Sequence, residues 1–356
     1  MTANCKIAAL LAAALLGLGA LARQPNAHYP ALPQQPPKTQ LSEYGFFKGK
    51  LAELAPDAGV HPYEVNAPLF SDYAEKARFL YLPPGARMAY HPDGSFLFPD
   101  GAVIIKNFFY WNDAAQPEKG RRIVETRLLL KESKGWKALE YIWNTAQDDA
   151  VLEIAGATLP IAWQNTEGKK QQLDYIVPNL NQCKGCHSYD GQFVPIGTTA
   201  RQLNRAMPQG QNQLLHFQQL GILDLPPGFS PQNAPRLSDY RLPDAPLDAA
   251  ARAYLDGNCA HCHNPHGPAS TSGMFLEANQ NNPERLGVGK APVAAGRGSG
   301  NRKYGIVPGK PNESILLYRM ESDDPGIRMP ELGRQQMHRE GVELIRQWIK
   351  SMPAKP

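Results

Sequence analysis

The sequence predicts an α+β multidomain protein: a mainly-β N-terminal domain, a sandwich or rolled sheet, followed by two small α-helical domains. Three observations carry that expectation. Residues 41–175 hold six short aliphatic and aromatic runs broken by turn signals. Beyond about residue 176, helical segments alternate with proline-rich connections. Each half of that second part carries one Cys-x-x-Cys-His run, Cys183-Lys184-Gly185-Cys186-His187 and Cys259-Ala260-His261-Cys262-His263.

In chain order, residues 1–22 contain Lys6, an apolar stretch Ile7–Ala22 and a small-x-small end, Ala20-Leu21-Ala22. That pattern predicts a secretory signal peptide cleaved after Ala22, and hence a periplasmic protein. The stretch is shorter than the roughly 18 residues of a spanning helix, and no later segment is apolar enough to span, so the mature chain is expected to be soluble. Residues 23–40, with prolines 25, 30, 33, 36 and 37, read as an extended leader.

The β-rich domain, 41–175, is expected to place strands at Arg78–Leu82, Ser95–Phe98, Ala102–Trp111, Arg121–Lys131, Gly135–Asn144 and Val151–Ile154. Its aromatics, Phe108 to Trp111, Trp136, Tyr141 and Trp143, read as core filling. In segment 176–245, Pro178 and Asn179–Gln182 argue against a helix leading into Cys183, while Thr199–Met207 and Asn212–Leu220 read as helices. In segment 246–356, Leu247–Asp256 forms a helix ended by Gly257, and a second starts near Pro311. The last helix, Gly341–Lys350, shows Val342, Ile345 and Ile349 on one face. Gly287–Gly309 reads as a plain surface loop.

Five cysteines are present: Cys5 lies in the signal segment, and the other four form the two C-x-x-C pairs, leaving none for a further disulfide. A thioredoxin-like pair gives no reason for a histidine after both runs. A zinc ribbon wants its pairs about 15–20 residues apart, whereas 72 residues separate Cys186 from Cys259. The remaining reading is c-type haem attachment. Cys183, Cys186, Cys259 and Cys262 would form thioethers to two haem c groups, with His187 and His263 as proximal iron ligands. A carbonyl within Pro195-Ile196-Gly197 is expected to accept the His187 Nδ1 proton.

Met329, followed by proline on a loop before the last helix, is the candidate sixth ligand of the second haem, with Met320 and Met337 as competitors. For the first haem the candidates are Met207, His216 or an open position. His261, inside its motif, is expected to face solvent, and neither it nor His266 is assigned a role; His28, His61, His91 and His338 show no ligand spacing. Hydrophobic content of 42% and charged content of 20% fit a folded chain, and the 33 prolines and 31 glycines point to long ordered loops. Net charge is +4, with no basic cluster interleaved with aromatics, so nucleic acid is not an expected partner.

Taken together, Pro68-Leu69-Phe70-Ser71-Asp72-Tyr73-Ala74, Glu125-Thr126-Arg127-Leu128, Cys183–His187, Asn258–His263 and Met329-Pro330-Glu331 resemble a family of bacterial exported diheme c-type cytochromes with an N-terminal β-rich domain. The resemblance covers nearly all of the mature chain and implies two attached haems. The C-terminal part resembles class I cytochrome c, so both haem segments are expected to be small cytochrome c-like domains. The function expected is electron carriage between a periplasmic dehydrogenase or other redox protein and a downstream acceptor. The alternatives are a diheme peroxidase-like oxidoreductase with one open haem site, and a β domain that binds a partner or small ligand.

Overall fold

A computed structural model of the chain describes residues 36–353; the expected signal peptide and residues 23–35 of the leader lie outside them. Six antiparallel strands form a meander in sequence order. They are β1 (Val60–Pro62), β2 (Glu75–Tyr81), β3 (Val103–Trp111), β4 (Arg121–Glu132), β5 (Gly135–Trp143) and β6 (Ala150–Glu153). The expected strand at Ser95–Phe98 makes only isolated bridges, Ser95 to Thr199 and Leu97 to Ala89. A hairpin absent from the sequence reading, β7 (Ala157–Gln164) and β8 (Lys170–Val177), follows the sheet.

The two sheet faces have different work. One buries Phe79, Ile105, Leu128 and Tyr141 against Leu41, Phe46, Phe47 and Leu54. The other is apolar only at its two ends. At one end Leu80 and Ile104 pack with Leu203, Leu214 and Phe217, and at the other Phe108, Tyr110 and Val124 pack under the hairpin against Ile161, Trp163 and Tyr175. Charged side chains and a cavity lie between these ends. The core reading of the aromatics holds for Phe108, Phe109, Tyr110, Tyr141 and Trp143, all buried.

The expected two small all-helical cytochrome c-like domains are not what the chain forms. Segment 176–245 supplies only three short helices, α1 (Leu180–Cys186), α2 (Ala200–Leu203) and α3 (Gln213–Gln219). The apolar side chains of α2 and α3 join the sheet core, so this segment has no separate helical interior. In 246–356, α4 (Leu247–Asn258), α6 (Ile315–Glu321) and α7 (Arg339–Ser351) share a core, with α5 (Pro283–Leu286) the one short α-helix in the loop-and-3₁₀ stretch between α4 and α6. Too few helical residues surround each Cys-x-x-Cys-His run to enclose it; the sheet and loops complete the first enclosure and loops the second.

Two glycines explain how α4 docks. Gly257 lies inside the helix instead of ending it, and it lets α4 approach the loop backbone, since a Cβ there would sit 2.4 Å from the Ala67 carbonyl oxygen. A Cβ on Gly341 of α7 would sit 2.3 Å from the Tyr254 ring, so this glycine lets α7 cross α4 closely. The loop 66–73 ties the segments together. The Asn258 side chain accepts from the Phe70 N–H, and Asp72 Oδ1 accepts from the N–H groups of Gln335 and Gln336 at 2.7 and 2.8 Å. Tyr240 donates to the Pro68 carbonyl, and Gln202 pairs with both backbone groups of Ala67. Asp72 and Tyr73 take positive φ, at 50° and 61°, a conformation ordinary residues keep only when surroundings enforce it. Among the described residues no helix is long and apolar enough to cross a membrane.

Candidate functional site

The first Cys-x-x-Cys-His run sits on α1, contrary to the expectation that no helix leads into Cys183. Asn179 caps the helix, accepting from the N–H groups of Asn181 and Gln182, while the Gln182 side chain accepts from the Asn179 N–H. This capping box lets a helix start immediately after Pro178, which stays outside it. The second run follows the end of α4, where Cys259 is the C-cap.

Each run opens onto a cavity. Cys183, Cys186 and His187 line one of about 250 Å³, walled by β3, β4 and β5, by loop 66–72 and by residues 328–335. Cys259, Cys262 and His263 line another of about 470 Å³, closed by α6 and by Lys290–Ala295. The second volume lies within the usual range of ligand clefts and the first just under it. Gly287–Gly309 is therefore no plain surface loop: part of it is the cavity wall. Cys186, His261, Met320 and Met329 face both cavities.

Both proximal-ligand candidates are held in one tautomer. His187 Nδ1 donates to the Val194 carbonyl at 2.7 Å, one residue before the expected Pro195-Ile196-Gly197, and its ring stacks on Phe193. His263 Nδ1 donates to the Met274 carbonyl at 3.2 Å. Burial pushes His187 down to about 4 and also lowers His263. Both rings are thus neutral at pH 7 with Nε2 unprotonated, the form that ligates a metal.

Met329 lines the second cavity, as does its competitor Met320; Met337 lines neither cavity. The Met329 loop is tied down by Arg334, whose buried guanidinium donates to the carbonyls of Met329, Met320, Ser322 and Gln336 at 2.9–3.2 Å. Neither Met207 nor His216 reaches the first cavity. His216 instead lies near His61, whose pKa is lowered first by burial and then by His216. Histidines dismissed on sequence do reach the cavity: His338, stacked on Phe70 with its Nδ1 near the Tyr254 hydroxyl, and His261.

His261 is half-buried, and its Nδ1 is buried without a partner. One ligand atom each from Cys186, His261 and Cys262 fall within 4.8 Å of one another. The hydrogen bond between the two thiols lowers Cys186 and raises Cys262. A zinc ion at this cluster would use one cysteine of each pair and leave Cys183, Cys259, His187, His263 and both cavities without a role. Two porphyrins use all six.

No known protein family, curated protein or solved structure matches the chain. The fit to haem therefore rests on the residues present. Four thiols, two neutral imidazoles with anchored Nδ1 atoms and two cavities match the donor set of two haems c. The first cavity also holds two buried arginines, Arg328 and Arg334, whose Nε atoms have no partner. Such cations suit a group carrying carboxylates.

Glu140 on β5 was not singled out from the sequence. It is buried and accepts a hydrogen bond from Cys183 Sγ at 2.7 Å. Burial raises its carboxyl from 4.5 to about 7. A carboxyl raised on folding binds its proton more tightly in the native state, so stability falls as pH rises from about 4.5 through 7. Glu140→Gln removes that loss: relative to wild type it is expected to gain up to roughly 3 kcal/mol on going from pH 4 to pH 8. Urea unfolding of both proteins at the two pH values measures it, and equal pH dependence of the two would refute the assignment.

Proposed function

We propose that the chain is a periplasmic diheme c-type cytochrome that carries electrons between a dehydrogenase or other redox donor and a downstream acceptor. The observation that carries this reading is the abutment of the two Cys-x-x-Cys-His runs, each open to its own cavity, with Cys186 and Cys262 in the same 4.8 Å cluster. Groups attached through those sulfurs would be close neighbours. Haem iron, when bound, supplies one-electron Fe(III)/Fe(II) chemistry.

The chain's own residues do the remaining work. Cys183, Cys186, Cys259 and Cys262 anchor covalently, and His187 and His263 present Nε2 because carbonyls hold their other nitrogens. Met329, held by Arg334, offers a thioether to the second site and favours the reduced state there. The resemblance to exported bacterial diheme cytochromes agrees with this assignment, as does the N-terminal export pattern.

One observation favours a second reading, a diheme peroxidase-like oxidoreductase. Met207 and His216 lie away from the first cavity, while the acid Glu140 lies in it. Intact mass of the chain matured in cells competent for haem attachment, followed by redox titration with low-temperature EPR, tests both. Carriage predicts two porphyrin masses and two six-coordinate irons. One five-coordinate high-spin iron with rapid stoichiometric oxidation by peroxide supports the second reading, and a colourless chain at the bare polypeptide mass overturns both.

A further inference from the structure

The sheet face between its two apolar ends carries a row of charges in register. Arg78 on β2 pairs with Lys106 on β3, Lys106 with Arg127 on β4, and Arg127 with Glu140 on β5. All four line the first cavity. Side chains directly opposite one another on antiparallel strands stand about 5 Å apart at Cβ, and like charges so placed repel. Three successive cations on neighbouring strands are therefore unfavourable unless an anion answers them.

The answers present cover the two ends of that triplet. Arg78 pairs with Glu64 at 3.3 Å, and Arg127 pairs with the fully buried Glu125 at 2.5 Å. Lys106, in the middle, has no hydrogen bond or ion pair among the described residues and has only the Phe108 ring beneath its Nζ, at 4.7 Å. Burial and the neighbouring cations Arg78, Lys76 and Arg127 push its pKa well below the usual lysine value, and the Glu125 carboxylate opposes them only in part. The same cavity receives Arg328 and Arg334, 7% and 4% exposed, each with an unpartnered Nε. Its lining thus carries five basic side chains against three acidic ones, Asp72, Glu140 and Glu331.

We infer that Arg78, Lys106 and Arg127 form an anion-binding site in the sheet wall of the first cavity, with Lys106 as its central contact. Its ligand is a carboxylate or comparable oxyanion. Two sources could supply it: the propionates of the porphyrin attached at Cys183 and Cys186, which rests on the function proposed above, or a small free oxyanion that enters the cavity.

Full-length Lys106→Met and Lys106→Arg are compared with wild type, with inorganic phosphate as the free-anion probe at constant ionic strength. Methionine keeps an unbranched chain one atom shorter and removes the charge; arginine keeps the charge and serves as the folding control. If propionates occupy the site, Lys106→Met lowers the midpoint potential of the first haem, Lys106→Arg restores it, and phosphate changes nothing in wild type. If a free anion occupies it, phosphate raises the wild-type melting temperature saturably, and Lys106→Met weakens that response at least tenfold. The site is overturned if Lys106→Met leaves the potential unchanged and phosphate has no effect on wild type. A chain without porphyrin would sink the proposed function alone, because the phosphate response still reports on the site.

Discussion

In the Cys259→Ala/Cys262→Ala variant, covalent haem is expected to fall from two per chain to one, read as the loss of one porphyrin from the intact mass and half of the haem absorbance. The reciprocal Cys183→Ala/Cys186→Ala variant should keep the other half. Cys183 lines only the first cavity and Cys259 and Cys262 only the second, so neither pair can supply two thiols to the other's cavity. The surviving haem should nevertheless shift its spectrum in both variants, because Cys186, His261, Met320 and Met329 face both cavities. Retention of both porphyrins in either variant would rule out thioether attachment at the substituted pair.

Arg334→Ala is expected to be strongly destabilising, at about 3–5 kcal/mol. Arg334 is 4% exposed, and its guanidinium gathers the carbonyls that end α6 together with that of Met329. Truncation strands those buried acceptors and releases the loop carrying the proposed ligand. A lysine at this position would keep the charge but has no planar fork to span the carbonyls, so Arg334→Lys should recover less than half of the loss. Denaturant midpoints measure the stability. The spectroscopic signature of a methionine-ligated iron should weaken in parallel, while covalent haem content stays at two. Wild-type stability with that signature intact would remove Arg334 as the positioning residue.

The two Cys-x-x-Cys-His runs were legible because such a run is local and needs no knowledge of the fold. Much of the sheet was legible for the same reason, since runs such as Val103–Trp111 carry their pattern within one strand. What depends on distant pairing was not. Lys106 stands alone as a basic residue in Val103–Trp111, and only the register reveals Arg78 and Arg127 at its sides. The α1 helix was missed because Pro178 and Asn179–Gln182 together read as a break, whereas Asn179 and Gln182 form a capping box. His261 was set aside on the expectation that a residue inside such a motif faces water. The first run covers it, with Cys186 as its neighbour. The helical domains were expected because helix signals surround both motifs, yet α2 and α3 are too short to form an interior and bury themselves on the sheet.

The loop at 66–73 bears on the order in which the protein matures. Its bonds to Gln335 and Gln336 join residues separated by 263 and 264 positions in the chain. Closing so large a ring costs more chain entropy than any local contact, and such contacts form late. While Asp72 waits for the C-terminal stretch to emerge, the wall formed by residues 328–335 cannot seal, and the thiols behind it stay open to solvent. The same junction that fastens the finished molecule thus leaves a kinetic window before its cavities close.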